Sequence, residues 1–394
     1  MTKARIHAGS ETYTATGLRE GIEKRQNRLL SLIQDLVELE SPSHDKAAID
    51  RCVSRVEKEC MRIGGRVRRH RRKRFGDLLE VRFGRAGRGE KPVMLLGHLD
   101  TVWEVGTLGK MPFRVADGRV WGPGTLDMKA GVAMGLTAVE YLLESGTLNR
   151  PVNMLLVSDE EIGSPVSRAL TEKLASGCGA VYVLEPAQGL EGAYKTARKG
   201  VGEYAVEVKG VAAHSGVDFE RGHSAIAELA RLVGVIHGFT ELSRGVTVNV
   251  GTIEGGTRSN VIAGEASAAV DVRIAKAADE MRVERKFRRL RVVDRACVLT
   301  VEGGLNRPPM ERTRGTVELF RRAATLAEAM GFRLKEASTG GGSDGNFTSA
   351  LGVPTLDGMG AVGEGAHAAH ESVILKELAP RTALLAAMLL RPEG

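Results

Sequence analysis

Residues 93–102 read Val-Met-Leu-Leu-Gly-His-Leu-Asp-Thr-Val, an apolar run that ends in a histidine and an aspartate. Four apolar residues in succession suit a strand covered on both faces, as in a mostly parallel sheet flanked by helices. In open α/β sheets ligands bind beyond the carboxyl ends of the strands. His98 and Asp100 stand at such an end.

The same arrangement recurs along the chain. The apolar run 152–157 is followed by Ser158-Asp159-Glu160-Glu161-Ile162-Gly163, and the run 181–184 by Glu185-Pro186. Between the first two runs lies Gly122-Pro123-Gly124-Thr125-Leu126-Asp127-Met128-Lys129. Leu29, Leu32, Ile33, Leu36 and Val37 keep the spacing of a half-buried helix. Ile49, Cys52, Val53, Val56 and Cys60 repeat it, with Gly64-Gly65 as a stop. A further helical stretch at 129–143 completes a β-α-β-α rhythm.

Near Gly200 the pattern changes. Residues 201–209, 246–250 and 266–273 alternate apolar and polar, which implies a sheet with one wet face. Helical stretches at 224–237 and 282–291 and a strand at 296–303 accompany them, and the α/β pattern resumes from about Pro308. The expectation is an α/β catalytic domain on a mostly parallel or mixed sheet, residues 1–198 and 309–394, interrupted by an α+β insert, residues 199–308.

With 42% hydrophobic and 27% charged residues the chain reads as globular. Aromatics at 4% are too sparse for a nucleic-acid stacking platform. No apolar run reaches the ~20 residues of a membrane span, and no signal peptide is legible, so the expectation is a cytoplasmic protein without a nucleic-acid or membrane partner. The four cysteines lack CxxC spacing and read as buried and reduced. Part of the +7 net charge sits in Arg66, Arg68, Arg69, His70, Arg71, Arg72, Lys73 and Arg74, which reads as an edge strand protected from pairing by its charges. A positive field favours an acidic substrate.

Taken singly, His98 reads as a core histidine, Asp127 as a helix N-cap, and Glu160-Glu161 as a solvated turn. Jointly they do not, because carboxylates and a histidine follow every covered strand. That many like charges on one rim repel one another unless cations lie among them.

These motifs, GHLDTV, GPGTLDMKAG, SDEEIG, Leu184-Glu185-Pro186 and Gly365-Ala366-His367-Ala368-Ala369-His370-Glu371, resemble the co-catalytic zinc aminoacylase and glutamate carboxypeptidase family. The resemblance runs from His98 to Glu371 and makes the insert a ferredoxin-like lid and dimerisation domain. It implies two zinc ions, with cobalt or manganese as substitutes. His98 and Glu185 would bind one, Glu161 and His367 the other, and Asp127 would bridge them. Asp100 would accept the His98 imidazole N–H, and Glu160 would be the general base. His370 is the other candidate for the last ligand, but the family's final motif places its ligand four residues before a glutamate, here Glu371, which favours His367 and leaves His370 at the rim. The Asp127–Met128 peptide would be cis.

In the insert, His214 resembles the lid histidine that polarises the scissile carbonyl, often in the partner subunit. Asn260 resembles the asparagine that hydrogen-bonds substrate, and Arg273 the arginine that grips a carboxylate. Thr339 to Asp344 matches a glycine-rich stretch lining the substrate site of glutamate-releasing carboxypeptidases. The amides of Gly340, Gly341 and Gly342 could form an anion nest. Glu185 at the last metal position points away from the di- and tripeptide aminopeptidases. The implied activity is hydrolysis of an amide bond beside a free carboxylate, on a small, acidic peptide or N-acyl amino acid, by a homodimer joined through the lid. An N-acyl-amino-acid deacylase is the alternative, followed by a di- or tripeptide aminopeptidase.

Overall fold

The computed structural model describes residues 5–8, 11–85, 87 and 89–391. The covered apolar runs form the centre of a six-stranded sheet ordered Thr355–Leu356, Ala180–Val183, Val93–His98, Val152–Val157, Leu78–Phe83, Arg66–His70. The first four strands are parallel and the last two run antiparallel to their inner neighbours, so the sheet is mixed. All six residues of Val93–His98 are buried, which is why this strand has no polar alternation.

Helices Gln26–Val37, Lys46–Arg62, Ala130–Glu144 and Leu375–Leu389 contribute to the main apolar core. Asp45 caps Lys46–Arg62 by accepting the Ala48 N–H at 2.9 Å, and Gly64 follows the helix at φ 87°. Deleting a central side chain such as Leu95 would cost about 2–5 kcal/mol. One helix, Ala15–Glu23, has no counterpart in the sequence reading; its buried face consists of Ala15, Leu18 and Ile22 only, too short a repeat to stand out.

A smaller antiparallel sheet, Gly363–Glu364, Ser372–Ile374, Arg119–Trp121 and Arg114–Ala116, brings the end of the chain back to the centre. Ser372 pairs with Trp121, so the loop containing His367 lies beside the turn that leads to Asp127.

The chain divides into two compact units. The first holds the residues through Ala197, Arg312–Thr339 and those from Ser343 onward. The second holds Arg198–Glu311 together with Gly340–Gly342. Its antiparallel sheet is ordered Thr247–Gly255, Glu265–Ile274, Gly200–Lys209, Val298–Arg307, with helices Ala225–His237 and Glu280–Arg288 on the connections. This is the β-α-β-β-α-β plan of a ferredoxin-like α+β fold. Gly200–Lys209 alternates buried and exposed residues along most of its length, as the period-2 pattern requires. Among the described residues no helix is long and apolar enough to cross a membrane.

Candidate active site

The carboxyl ends of the parallel strands collect the expected residues in the first unit. His98 ends its strand and is 1% exposed. Its Nε2 lies 3.2 Å from Asp127 Oδ1 and 3.6 Å from Glu185 Oε1. His367 Nε2 lies 3.4 Å from Asp127 Oδ2 and 3.2 Å from Glu161 Oε2. The two oxygens of Asp127 therefore face one histidine each, and each histidine has a second carboxylate at its side. His367, in a loop at φ 61°, is the more open of the two, with its side chain 51% exposed.

Two sets of ligand atoms lie mutually within 4.8 Å: His98, Asp127 and Glu161, and His98, Glu160 and Glu185. Glu160 thus reaches the same space from the turn Glu160–Ile162 that carries Glu161. Glu161 Oε1 is buried with no hydrogen-bond partner among the described residues. An orphaned carboxylate oxygen in a nest of imidazole and carboxylate donors fits a cation, and the donor set suits zinc.

The electrostatics agree with that fit. Burial works against charge on Asp127, but His367 and His98 outweigh it and hold the carboxyl well below its usual range. Burial likewise opposes protonation of His98, yet Asp100, Asp127 and Glu185 raise it well above 6.5. Asp127 and Glu161 push His367 up to about 10. Burial pushes the Glu161 carboxyl up.

Asp100 differs in part from expectation. The acceptor nearest His98 Nδ1 is the Asp100 backbone carbonyl at 2.9 Å, with the carboxylate at 3.5 Å. The carboxylate itself takes the Glu160 and Glu161 amides at 3.3 and 3.1 Å and the Ser43 hydroxyl at 2.8 Å. Asp100 thereby fixes the turn bearing both glutamates as well as the histidine.

Glu371 entered the sequence reading only as a landmark for His367, and the structure gives it a place of its own. It is 1% exposed and accepts four hydrogen bonds. Oε1 takes the Leu126 and Asp127 amides at 2.8 and 3.1 Å; Oε2 takes the Gly124 amide at 2.9 Å and Trp103 Nε1 at 2.7 Å. Gly124 adopts φ 69°, and a Cβ there would come within 2.5 Å of Thr101 Cγ2, so only glycine fits this turn. The Asp127–Met128 peptide is cis. Ser43 and Glu371 lie far in sequence from the groups they hold, and no local spacing marks them.

The second unit holds the remaining residues in two groups. His214 pairs with Val261, and the Ser215 amide donates to the Asn260 carbonyl at 3.0 Å, so His214 and Asn260 are neighbours. Arg273 meets Asp271 through Nε at 3.0 Å to both oxygens and through Nη2 at 2.8 Å. Its Nη1 points to the Gly340 carbonyl at 3.4 Å. Arg198 reaches the Gly341 and Gly342 carbonyls at 3.3 and 3.0 Å. The glycine loop thus meets these arginines through its carbonyls, whereas the sequence reading assigned its amides to an anion.

Known proteins place this arrangement. The profile of peptidase family M20/M25/M40 matches residues 94–391. Carboxypeptidase G2 of Pseudomonas sp. (strain RS-16) is 29% identical over 381 residues, spanning 94% of this chain and 90% of that protein. A probable carboxypeptidase of Arthroderma benhamiae is 29% identical over 75% of this chain and 68% of its own length. Among solved structures, aminopeptidase PepT of Bacillus cereus superposes with a TM-score of 0.76 at 23% identity, covering 92% of this chain and 98% of that one. The M20 metallo-carboxypeptidase Sso-CP2 of Sulfolobus solfataricus superposes with a TM-score of 0.73 at 15% identity, covering 92% and 98%. The last two likenesses concern the fold alone. With its profile spanning the strand ends, the second unit and the His367 loop, the chain belongs to peptidase family M20/M25/M40, a family of metal-dependent hydrolases.

Proposed function

We propose that this chain is a two-zinc hydrolase that cuts an amide bond beside a free C-terminal carboxylate, in the manner of a glutamate carboxypeptidase. The observation that carries the reading is Asp127 standing between His98 and His367, one oxygen toward each, with Glu185 beside His98 and Glu161 beside His367. His98, Asp127 and Glu185 would hold one cation, and His367, Asp127 and Glu161 the other. Such a pair supplies Lewis acidity, polarising a carbonyl and acidifying water.

The chain's own groups do the rest. Glu160 takes the proton of the attacking water and passes it to the leaving amine. Asp100 keeps Glu160 and Glu161 in place through their amides. His214 polarises the scissile carbonyl, and Asn260 hydrogen-bonds the substrate beside it. Arg273, backed by Gly340, Gly341 and Gly342, meets the terminal carboxylate. Its planar fork suits a carboxylate better than an ammonium would. The second unit joins two chains into a dimer. The carboxypeptidases among its relatives support this choice of substrate end.

The test is a hydrolysis panel with protein purified without chelator, which should carry about two zinc ions per chain. Peptides ending in glutamate should be cleaved, and EDTA should abolish the activity. Full activity in EDTA would overturn the metal reading. Cleavage of N-acyl amino acids alone would favour a deacylase.

A further inference from the structure

A cationic loop stands on the same rim as the candidate metal site, and nothing in the proposed chemistry uses it. Arg66–His70 is the edge strand of the six-stranded sheet and runs in the same direction as Val93–His98. The register fixes its height. His70 pairs with Leu78, Leu79 with Leu156, and Val157 with His98. His70 and His98 therefore occupy one row, three strand spacings or about 14 Å apart. The segment 71–74 leaves the sheet at the same end of the strands as Glu160 and Glu161. Arg72 also touches their loop, with Nη2 at 3.4 Å from the Val166 carbonyl.

The acids near this segment are already committed. Asp77 takes Lys46, Arg69 and the Arg72 amide; Glu57 takes Arg69; Glu80 takes His70 and Arg82. Arg71, Lys73 and Arg74 are exposed and have no acidic partner among the described residues. Arg74 rests its guanidinium over Phe75 at 5.5 Å. Arg66 and Arg68, also exposed, extend the charge along the edge strand. Charges on the strand itself already protect the sheet edge. The three beyond the strand, at the end of the sheet where the candidate metal site lies, are not needed for that.

We infer that Arg71, Lys73 and Arg74 form a recognition surface for acidic residues of a longer peptide substrate, a few residues upstream of the bond that is cut. This rests on the hydrolase reading above and names its substrate class. An extended peptide advances about 3.3 Å per residue, so some four residues span the distance from the site to this loop. A dipeptide cannot reach it. Screening at physiological salt acts over about 8 Å, so side chains at the loop itself are felt and remote charge is not.

The experiment uses the whole metal-loaded enzyme and two hexapeptides ending in glutamate. One carries aspartate at the three positions farthest from the C-terminus, and the other carries alanine there. At about 20 mM salt the acidic peptide should have at least a tenfold higher kcat/KM, and the advantage should shrink toward one near about 0.5 M. The combined variant R71S/K73S/R74S should bring the ratio within about twofold of one at low salt. Its unfolding midpoint would verify that it folds. Equal cleavage of both peptides by the normal enzyme, or an undiminished ratio in the variant, overturns the inference.

If neither peptide is cut, the hydrolase reading itself fails. Fluorescence anisotropy of a labelled hexa-aspartate, normal against variant, then still decides the surface: weaker binding by the variant supports it and equal binding overturns it. A single-stranded oligonucleotide of equal charge that displaces the labelled peptide at lower concentration than unlabelled hexa-aspartate would overturn the peptide assignment in favour of nucleic acid.

Discussion

Glu371 Oε1 accepts the backbone N–H of Asp127 at 3.1 Å, so a buried carboxylate four residues after His367 holds the turn that carries the bridging candidate. The two loops are thereby set against each other before any cation arrives. Glu371→Gln presents an amide –NH2 to donors that need an acceptor. It should cost about 1–3 kcal/mol of stability, the range for leaving a buried group unsatisfied. Zinc retention against a chelator should weaken by about 10–100-fold, as for other residues that orient ligands. Unchanged retention in a folded variant would show that the turn is held without it.

The upward shifts of His98 and His367 predict how the chain takes up metal. His98 and His367 must both lose protons to become ligands. Zinc binding near pH 7 should release about two protons per chain, read from the buffer dependence of the calorimetric heat. No release would mean that the histidines are not the ligands.

The same shifts set the pH dependence of the metal-free protein. His367 is raised to about 10, above its ordinary 6.5. A histidine raised on folding stabilises the fold fully below its unfolded pKa and loses that contribution as pH rises through the folded value. In chelator, the unfolding midpoint should fall between about pH 6.5 and 10. With zinc bound the fall should largely vanish. A bare chain that grew more stable over this range would contradict the pairing of His367 with Asp127 and Glu161.

Glu160 and Glu161 are neighbours with different assignments. Glu160→Gln should keep the metals and lower turnover at least ~10²-fold, the usual weight of a general base. Glu161→Gln should weaken metal binding first, since Glu161 approaches His367 at 3.2 Å. Equal retention and equal rates in both variants would refute the division.

The sequence showed the strands and what stands at their ends because both are local facts. Val93–His98 and Val152–Val157 are buried on both faces, and their apolar runs say so without alternation. His98, Asp127, Glu161 and Glu185 follow such strands or the turn between them, so position along the chain pointed to position in space. Contacts made across the fold were not legible. Glu371 bonds to partners 244 to 268 residues away, and Ser43 to one 57 away. The helix Ala15–Glu23 escaped because its apolar face is only three residues. Asp271 beside Arg273 was visible as a neighbour, but its ion pair depends on rotamers that spacing does not fix.

His214 is exposed on a two-residue strand, beside Asn260. If the lid joins two chains and lends His214 to the partner subunit, His214→Ala and Glu160→Gln should complement each other. Mixing the two inactive proteins should restore partial activity, because some hybrid dimers hold one intact composite site. No recovery after verified subunit exchange would count against a shared site.

The final prediction concerns the end of the substrate that is held. Arg273 is already gripped by Asp271, which takes Nε and Nη2 and leaves Nη1 toward the Gly340 carbonyl. A substrate carboxylate must share this guanidinium with Asp271 or displace it. Arg273→Ala should cost ~2–4 kcal/mol in kcat/KM, the range for losing a charged group's partner. Arg273→Lys should rescue only part of that, because the ammonium keeps the charge but not the fork. Substrates amidated at the C-terminus should be cleaved poorly by the normal enzyme, and Arg273→Ala should hardly worsen them. The measurement is a two-by-two comparison of free-acid and amide substrates with the normal and Arg273→Ala enzymes. If the amide is cut as fast as the acid, the terminal carboxylate is not recognised. The carboxypeptidase reading then gives way to an aminopeptidase or a broad amidase.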